Sequence, residues 1–193
     1  FLSTLRLKVE NLVEANRIHG LIGDDASYEY NYLVSAPLIP QPSSKAGPGV
    51  PFLDGALQWL GVPEDNGDWG QGMTIALLDT GVSSHRALDS SSISQIGLIV
   101  DENNEGSEYQ GHGTAIASLL VGDAGIGIAP SAELLSIQVM DSDGLGDSFT
   151  LAEGILQAVD AGANIISMSL GSYGYTSILE NAVDYAVAND VIL

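Results

Sequence analysis

Met73-Thr74-Ile75-Ala76-Leu77-Leu78-Asp79-Thr80-Gly81 is an almost unbroken apolar run that ends in an acid and a glycine. A run without polar alternation reads as a strand covered on both faces. Similar runs lie at 95–100, 134–139 and 164–169, and another begins at Val191. Between them the pattern predicts helices over 112–121, over 148–161 with Ser148 as N-cap, and over 176–189. Strands and helices in alternation imply an α/β fold around a mostly parallel sheet. In such sheets chemistry gathers beyond the carboxyl ends of the strands. Asp79 stands at one of those ends.

The chain has 193 residues, 45% of them hydrophobic, and 23 glycines, enough for one real core and a small accessory unit. No apolar run approaches the ~20 residues that cross a membrane. With no cysteine, a disulfide scaffold and a zinc–cysteine site are both excluded. The chain opens on Phe1 without a methionine or a signal peptide, so trimming or processing is expected.

Charge divides the chain. Arg6, Lys8, Arg17 and Lys45 lie in the first 45 residues against five acids, whereas residues 46–193 hold 20 acids and only Arg86. A surface this acidic repels nucleic acid and anionic membranes, and neither is expected as a partner. Solubility in a salty medium accounts for it, with attraction of basic substrates as the other reading.

The same shift marks a boundary. Leu5, Val9, Leu12 and Val13 form a helical stripe within residues 2–18. Tyr28, Tyr30, Tyr32 and Val34 then alternate with Glu29, Asn31 and Leu33, as in a half-buried strand. Five of the seven prolines follow within a Ser/Gly-rich tract that reads as an extended linker. One helix and one strand cannot build a core. The first 35 residues must therefore pack on something else, or belong to a larger unit.

Asp79 is answered by Gly111-His112-Gly113-Thr114 at the opening of a predicted helix. A serine hydroxyl is a poor nucleophile at neutral pH and needs a base within hydrogen-bond reach. Histidine titrates in the range needed to take that proton and return it. A buried carboxylate fixes the imidazole tautomer and stabilises its cation. His112 is assigned as the base and Asp79 as its orienting acid. Gly111 and Gly113 would let the backbone crowd the site, and Thr114 would satisfy early helix amides. His19 and His85 lack such flanks and are read as surface residues.

Three stretches taken together resemble the subtilisin-like serine proteases: Ile75-Ala76-Leu77-Leu78-Asp79-Thr80-Gly81-Val82, Gly111-His112-Gly113-Thr114, and Ile165-Ile166-Ser167-Met168-Ser169-Leu170-Gly171. The resemblance runs from about Trp59 onward. It implies the three-layer subtilisin-like α/β fold, incomplete in this chain, and peptide hydrolysis through an Asp-His-Ser triad. It divides the chain into the end of a propeptide (1–35), a linker (36–52) and the first part of a catalytic domain (53–193). A secreted or periplasmic protein, made as a zymogen, would follow. Asp143-Gly144-Leu145-Gly146 resembles the glycine-rich wall against which the family pairs an extended peptide, and strand addition of this kind needs bare backbone. A plain turn before a helix is the other reading. Ser169-Leu170-Gly171 resembles the opposite wall, beside the residue before the scissile bond, although a strand end simply turning would look the same.

The departures are as definite. The family's glycine-threonine-serine motif and its oxyanion asparagine do not occur by Leu193, and Ser118, Ser142, Ser167 and Ser177 lack that setting. The chain alone is expected to be inactive, its partner being the remaining part of the protease that carries the serine. Gly122-Asp123-Ala124-Gly125 is short where many relatives insert a calcium loop, and Ala87 replaces their aspartate ligand. That calcium site is expected to be missing, although Asp101-Glu102 or Asp141, Asp143 and Asp147 could hold a cation. Two rivals stand beside this reading. Leu77-Leu78-Asp79-Thr80-Gly81 also resembles the aspartic-protease signature, which needs two copies on an all-β frame. The other is a non-catalytic or propeptide-inhibited binding module that lacks the nucleophile.

Overall fold

A computed structural model describes residues 4–22, 29–37, 56–99, 111–123, 125–172 and 174–193. Of the linker read at 36–52, residues 38–52 fall outside the described residues, as do Tyr28 and Asp101-Glu102, while Ala36 continues the pairing of the strand before it. The centre is a four-stranded parallel sheet built from β2 (Thr74–Asp79), β3 (Ile93–Gly97), β4 (Glu133–Gln138) and β6 (Ile165–Met168). Its strand order is β3-β4-β2-β6. Leu78 lies opposite Ile137 on one side and Met168 on the other, so three strand ends converge beside Asp79.

The side chains of β2 alternate between two apolar layers. Ile75 and Leu77 join Ala117, Val121 and Leu134 beneath α3 (His112–Val121). Ala76 and Leu78 join Leu151, Ile155, Ala182 and Ala186 beneath α4 (Ser148–Asp160) and α5 (Ser177–Ala188). Helices therefore cover both faces, giving the α/β three-layer arrangement. Beside α3, Ile75, Leu120, Ile128, Ile165 and Ser167 line an apolar groove of about 460 Å³.

A second sheet is antiparallel and draws on distant parts of the chain. Strand β1 (Leu33–Ser35) lies between β5 (Leu145–Asp147) and β7 (Gly171–Ser172). Two further helices are α1 (Leu12–Ile22) and the short α2 (Ala56–Trp59).

Several boundaries differ from expectation, each for a physical reason. The strand read at 95–100 is Ile93–Gly97, an edge strand with Ser94 and Gln95 exposed, so the apolar run over 96–100 overlaps only its last two residues. The helix read within residues 2–18 begins only at Leu12, where the Asn11 side chain accepts from Glu14 N at 3.0 Å and holds the first turn. None of its residues is buried, and Leu5, Leu12 and Val13 are exposed. The N-terminal strand is limited to Leu33–Ser35, with Tyr30 exposed before it. Asp147, not Ser148, caps α4 by accepting from Thr150 N at 3.0 Å. The Ser148 hydroxyl is occupied elsewhere, donating to Asn31 Oδ1 and accepting from Tyr32 N. Near Val191 the parallel pairing is one bridge, Ile165 with Ile192.

Candidate active site

The close of β2 and the opening of α3 bring Asp79 and His112 together. Asp79 is 1% exposed. His112 Nδ1 lies 2.8 Å from Asp79 Oδ1 and 3.0 Å from Oδ2. A carboxylate this buried requires compensation, and hydrogen-bond donors supply it. Thr80 N donates to Asp79 Oδ1 at 2.7 Å and the Thr80 hydroxyl donates at 3.2 Å. Gly113 N in turn donates to Thr80 Oγ1 at 3.2 Å. Thr80 therefore ties the acid to the helix that carries the histidine, a role its sequence position alone does not reveal.

Glycine is needed here at two positions for different reasons. Gly111 has φ 99°, with open space where a side chain would stand. Gly113 has no room: a methyl group there would overlap the Gly81 carbonyl oxygen and stand 3.1 Å from Asp79 Oδ1. Only Gly113 serves close approach, so the expectation of crowding holds for one of the pair. Thr114 also departs from expectation. Its hydroxyl accepts from Ser83 N at 2.9 Å, pinning the loop after β2 onto α3 instead of serving the helix amides. Gln95 Nε2 holds the same loop by donating to the Val82 carbonyl at 3.0 Å. His19 and His85 are exposed, and His85 Nδ1 accepts from Ala87 N to start a 3₁₀ turn.

The two expected walls face each other across β1. Leu33, Val34 and Ser35 lie opposite Asp147, Gly146 and Leu145 on one side. On the other side Val34 lies opposite Ser172, and Ser35 opposite Gly171. Ala36 N extends the ladder by donating to the Gly144 carbonyl at 2.9 Å. The Asp141 side chain and the positive φ of Gly144, 70°, fold the turn that starts β5. Gly146 is glycine because a side chain would strike the Val139 carbonyl. Ser169 and Leu170 are half-buried between β6 and β7, and Leu170 packs on the core.

The segment before β1 holds the ends of two helices, which no local pattern announced. Asn31 Oδ1 accepts from Phe149 N at 3.0 Å, and Glu29 Oε2 accepts from Ser177 N at 2.7 Å. The acceptors thus sit at the N-termini of α4 and α5, where unpaired N–H groups and the helix dipole favour them. Arg6 pairs with Asp147 at 2.9 Å. The Tyr32 ring lies against Gly174 so closely that any side chain there would overlap it.

Around the short 122–125 loop the described side chains are engaged within the protein. Ala87 is buried and has no side-chain oxygen, and its carbonyl accepts from Asp123 N at 2.8 Å. Asp123 accepts from the Ser90 hydroxyl and from Ser90 N at 3.0 Å, and these bonds, the hydroxyl's first, lower the pKa of its carboxyl. Asp141 and Asp147 are likewise occupied by a turn and a helix cap. Among the described residues no group of three His, Asp or Glu side chains could hold a metal ion.

Residues 70–193 match the model of the subtilase family. A thermophilic serine proteinase of Bacillus sp. (strain AK1) is 36% identical over 121 residues, which are 60% of this chain and 30% of that protein. Thermitase of Thermoactinomyces vulgaris is 37% identical over 122 residues, 61% of this chain and 44% of that one. The chain thus spans less than half of these relatives. Among solved structures, the prenylagaramide maturation protease PagA superposes with a TM-score of 0.54 at 27% identity, covering 66% of this chain and 46% of that one. The patellamide maturation protease PatA gives 0.53 at 28% identity, covering 64% and 47%. A match that takes in the parallel sheet, the helices on both its faces and the paired acid and histidine makes this chain a member of the subtilase family.

Proposed function

We propose that the chain supplies the acid and the base of a serine endopeptidase, with Asp79 orienting His112 and a serine from the remaining part of the same protease as nucleophile. The observation that carries this is the carboxylate, 1% exposed, against His112 Nδ1. With Nδ1 turned to Asp79, Nε2 is the nitrogen that takes the serine proton and returns it to the leaving amine. The reading includes no calcium at the 122–125 loop. It also takes the protein to be secreted or periplasmic, with its acidic surface suited to a salty medium.

Residues 1–35 act in this reading as the end of a propeptide that occupies the substrate cleft, with Ala36 of the following linker continuing its pairing. Strand β1 supports it by pairing with both walls, and its direction supports it further. From Val34 to Ser35 the register on β7 steps from Ser172 back to Gly171, towards the end of β6 and hence towards Asp79. A peptide on this path is led to the paired acid and histidine.

The test is made on the complete protease. Hydrolysis of a casein-type substrate should be abolished in His112→Ala. In Asp79→Asn it should fall about 10⁴-fold, because the amide favours the wrong imidazole tautomer. Near-normal turnover in either variant would remove the assignment. The 193-residue chain alone should neither hydrolyse peptide nor react with a serine-directed fluorophosphonate.

A further inference from the structure

Asp79 and Gln138 stand opposite each other at the last register position of β2 and β4. Side chains alternate between the two faces of a sheet. Ile75, Leu77 and Leu134 lie beneath α3, whereas Leu135 and Ile137 lie beneath α4 and α5. By that alternation Asp79 and Gln138 both project on the face of α3, the helix that carries His112. Adjacent strands run ~4.8 Å apart, so the amide stands beside the acid.

The half-buried Gln138 side chain is engaged at two places. Nε2 donates to the Met140 carbonyl at 3.3 Å. The rest of the chain lies over Gly81, where a methyl group would stand 3.4 Å from Oε1, 3.5 Å from Cδ and 3.7 Å from Cγ. The Gly81 carbonyl oxygen, in turn, lies against Gly113, the residue after His112, so closely that no Cβ fits between them. Gly81 is thus held between Gln138 on the sheet and Gly113 on α3. Close packing transmits such a contact, and a void on one side of it would let the loop relax.

The anchor of the amide is itself fixed. Met140 is 0% exposed, its N–H donates to the Asp79 carbonyl at 3.3 Å, and it pairs with Gly146. A polar side chain tied to this point stays on Gly81 instead of swinging out to water.

Resting on the protease reading, we infer that Gln138 is a positioning residue for the paired acid and histidine. It backs Gly81 against the start of α3, and the Met140 carbonyl holds it there. It acts on His112 through Gly81 and Gly113, by filling space rather than by taking a proton.

Two measurements test this. The first uses the complete protease. Gln138→Ala should lower kcat by roughly tenfold, since a small misplacement of a catalytic group is costly, while KM stays within about twofold. Gln138→Asn keeps an amide but is one carbon too short to cover Gly81, and should fall with alanine. Gln138→Met covers Gly81 without an amide and should stay within about threefold of the parent kcat. An alanine variant with unchanged kcat, a methionine variant as slow as alanine, or a loss confined to KM would overturn the inference.

The second measurement uses the 193-residue chain and needs no hydrolysis. The low-field proton resonance of His112 Nδ1 should move or broaden in Gln138→Ala and keep its place in Gln138→Met, with melting temperatures recorded alongside. A Gln138 that merely supports the fold would lower the melting temperature of the alanine variant and leave the resonance in place, and that result would overturn the inference. If the complete protein cleaves no peptide while the resonance responds as stated, the positioning role stands and the protease reading is what fails.

Discussion

Gly111 and Gly113 flank one histidine, and their replacement should fail in two distinguishable ways. Gly111→Ala meets no atom but must adopt φ 99°, a conformation that costs a side chain of order 1–3 kcal/mol. Gly111→Asn should recover part of that loss, because asparagine tolerates positive φ better. Gly113→Ala has an ordinary helical place but meets the Gly81 carbonyl and Asp79 Oδ1, so α3 must shift from the end of β2. Overpacking of this kind costs about 1–3 kcal/mol. The Gly113 variant should also disturb the His112–Asp79 bond, read from the imidazole proton resonances, whereas the Gly111 variants should preserve it. A Gly113→Ala protein with unchanged unfolding midpoint and unchanged resonances would contradict this close packing of α3 on the end of β2.

At the scale of elements, α4 and α5 are joined at their ends as well as by their apolar faces. Tyr185 Oη donates to Asp160 Oδ1 at 2.9 Å, and that bond, with the carboxylate's charge, holds the phenol above its ordinary value of 10.0. A pKa raised by folding means that the protonated form is the stabilising one. The contribution is full below pH 10 and is lost as pH climbs through the folded value. Thermal unfolding at pH 8 should therefore show Tyr185→Phe below the parent, with the gap closing above pH 10; a gap independent of pH would exclude this bond as its source. Elements differ in how plainly the sequence announces them. The helix over 112–121 and strand β2 are legible because their apolar periodicity is uninterrupted and their packing is local to one sheet. Asn11 with Glu14 three residues later is a readable helix start, yet the apolar stripe that begins at Leu5 masks it. The cap of α4 is not readable: Asp147 and Ser148 are both capping residues, and the choice is made by Asn31 and Tyr32, more than a hundred residues away. The pairing of β1 with β5 and β7 cannot be read from residue pattern alone, since a backbone ladder accepts many side chains; only the resemblance pointed to the two strands that flank it. Asp79 and His112 could be named because their chemistry restricts residue type; Glu29, Asn31 and Thr80 could not, because many residues serve as hydrogen-bond partners.

Over the whole molecule the dominant feature is charge. The chain carries a formal −20, and among the described residues Arg6 with Asp147 is the only pairing of an arginine or lysine with a carboxylate. From residue 46 on, 20 acids face a single arginine, so repulsion on that surface is relieved by counter-ions and by little else. Repulsion between exposed charges reaches as far as the Debye length, ~30 Å at 0.01 M salt and ~3 Å at 1 M. At low salt it spans a molecule of this size and opposes compaction; at 1 M it barely reaches neighbouring side chains. The melting temperature should therefore rise with sodium chloride from 10 mM to 1 M by on the order of 5 °C, equivalent to ~2 kcal/mol for a chain of this length. The rise should be steepest below a few hundred millimolar, where the screening length changes most. Sucrose strengthens burial without screening charge, so it separates the two causes. An equal rise in sucrose at matched osmolality would assign the effect to burial, and a melting temperature flat in salt would mean that the acids are too far apart to repel. Replacing exposed acids far from Asp79 and His112, Asp89 and Glu133 among them, with asparagine and glutamine should reproduce part of the salt effect at 10 mM and diminish it at 1 M.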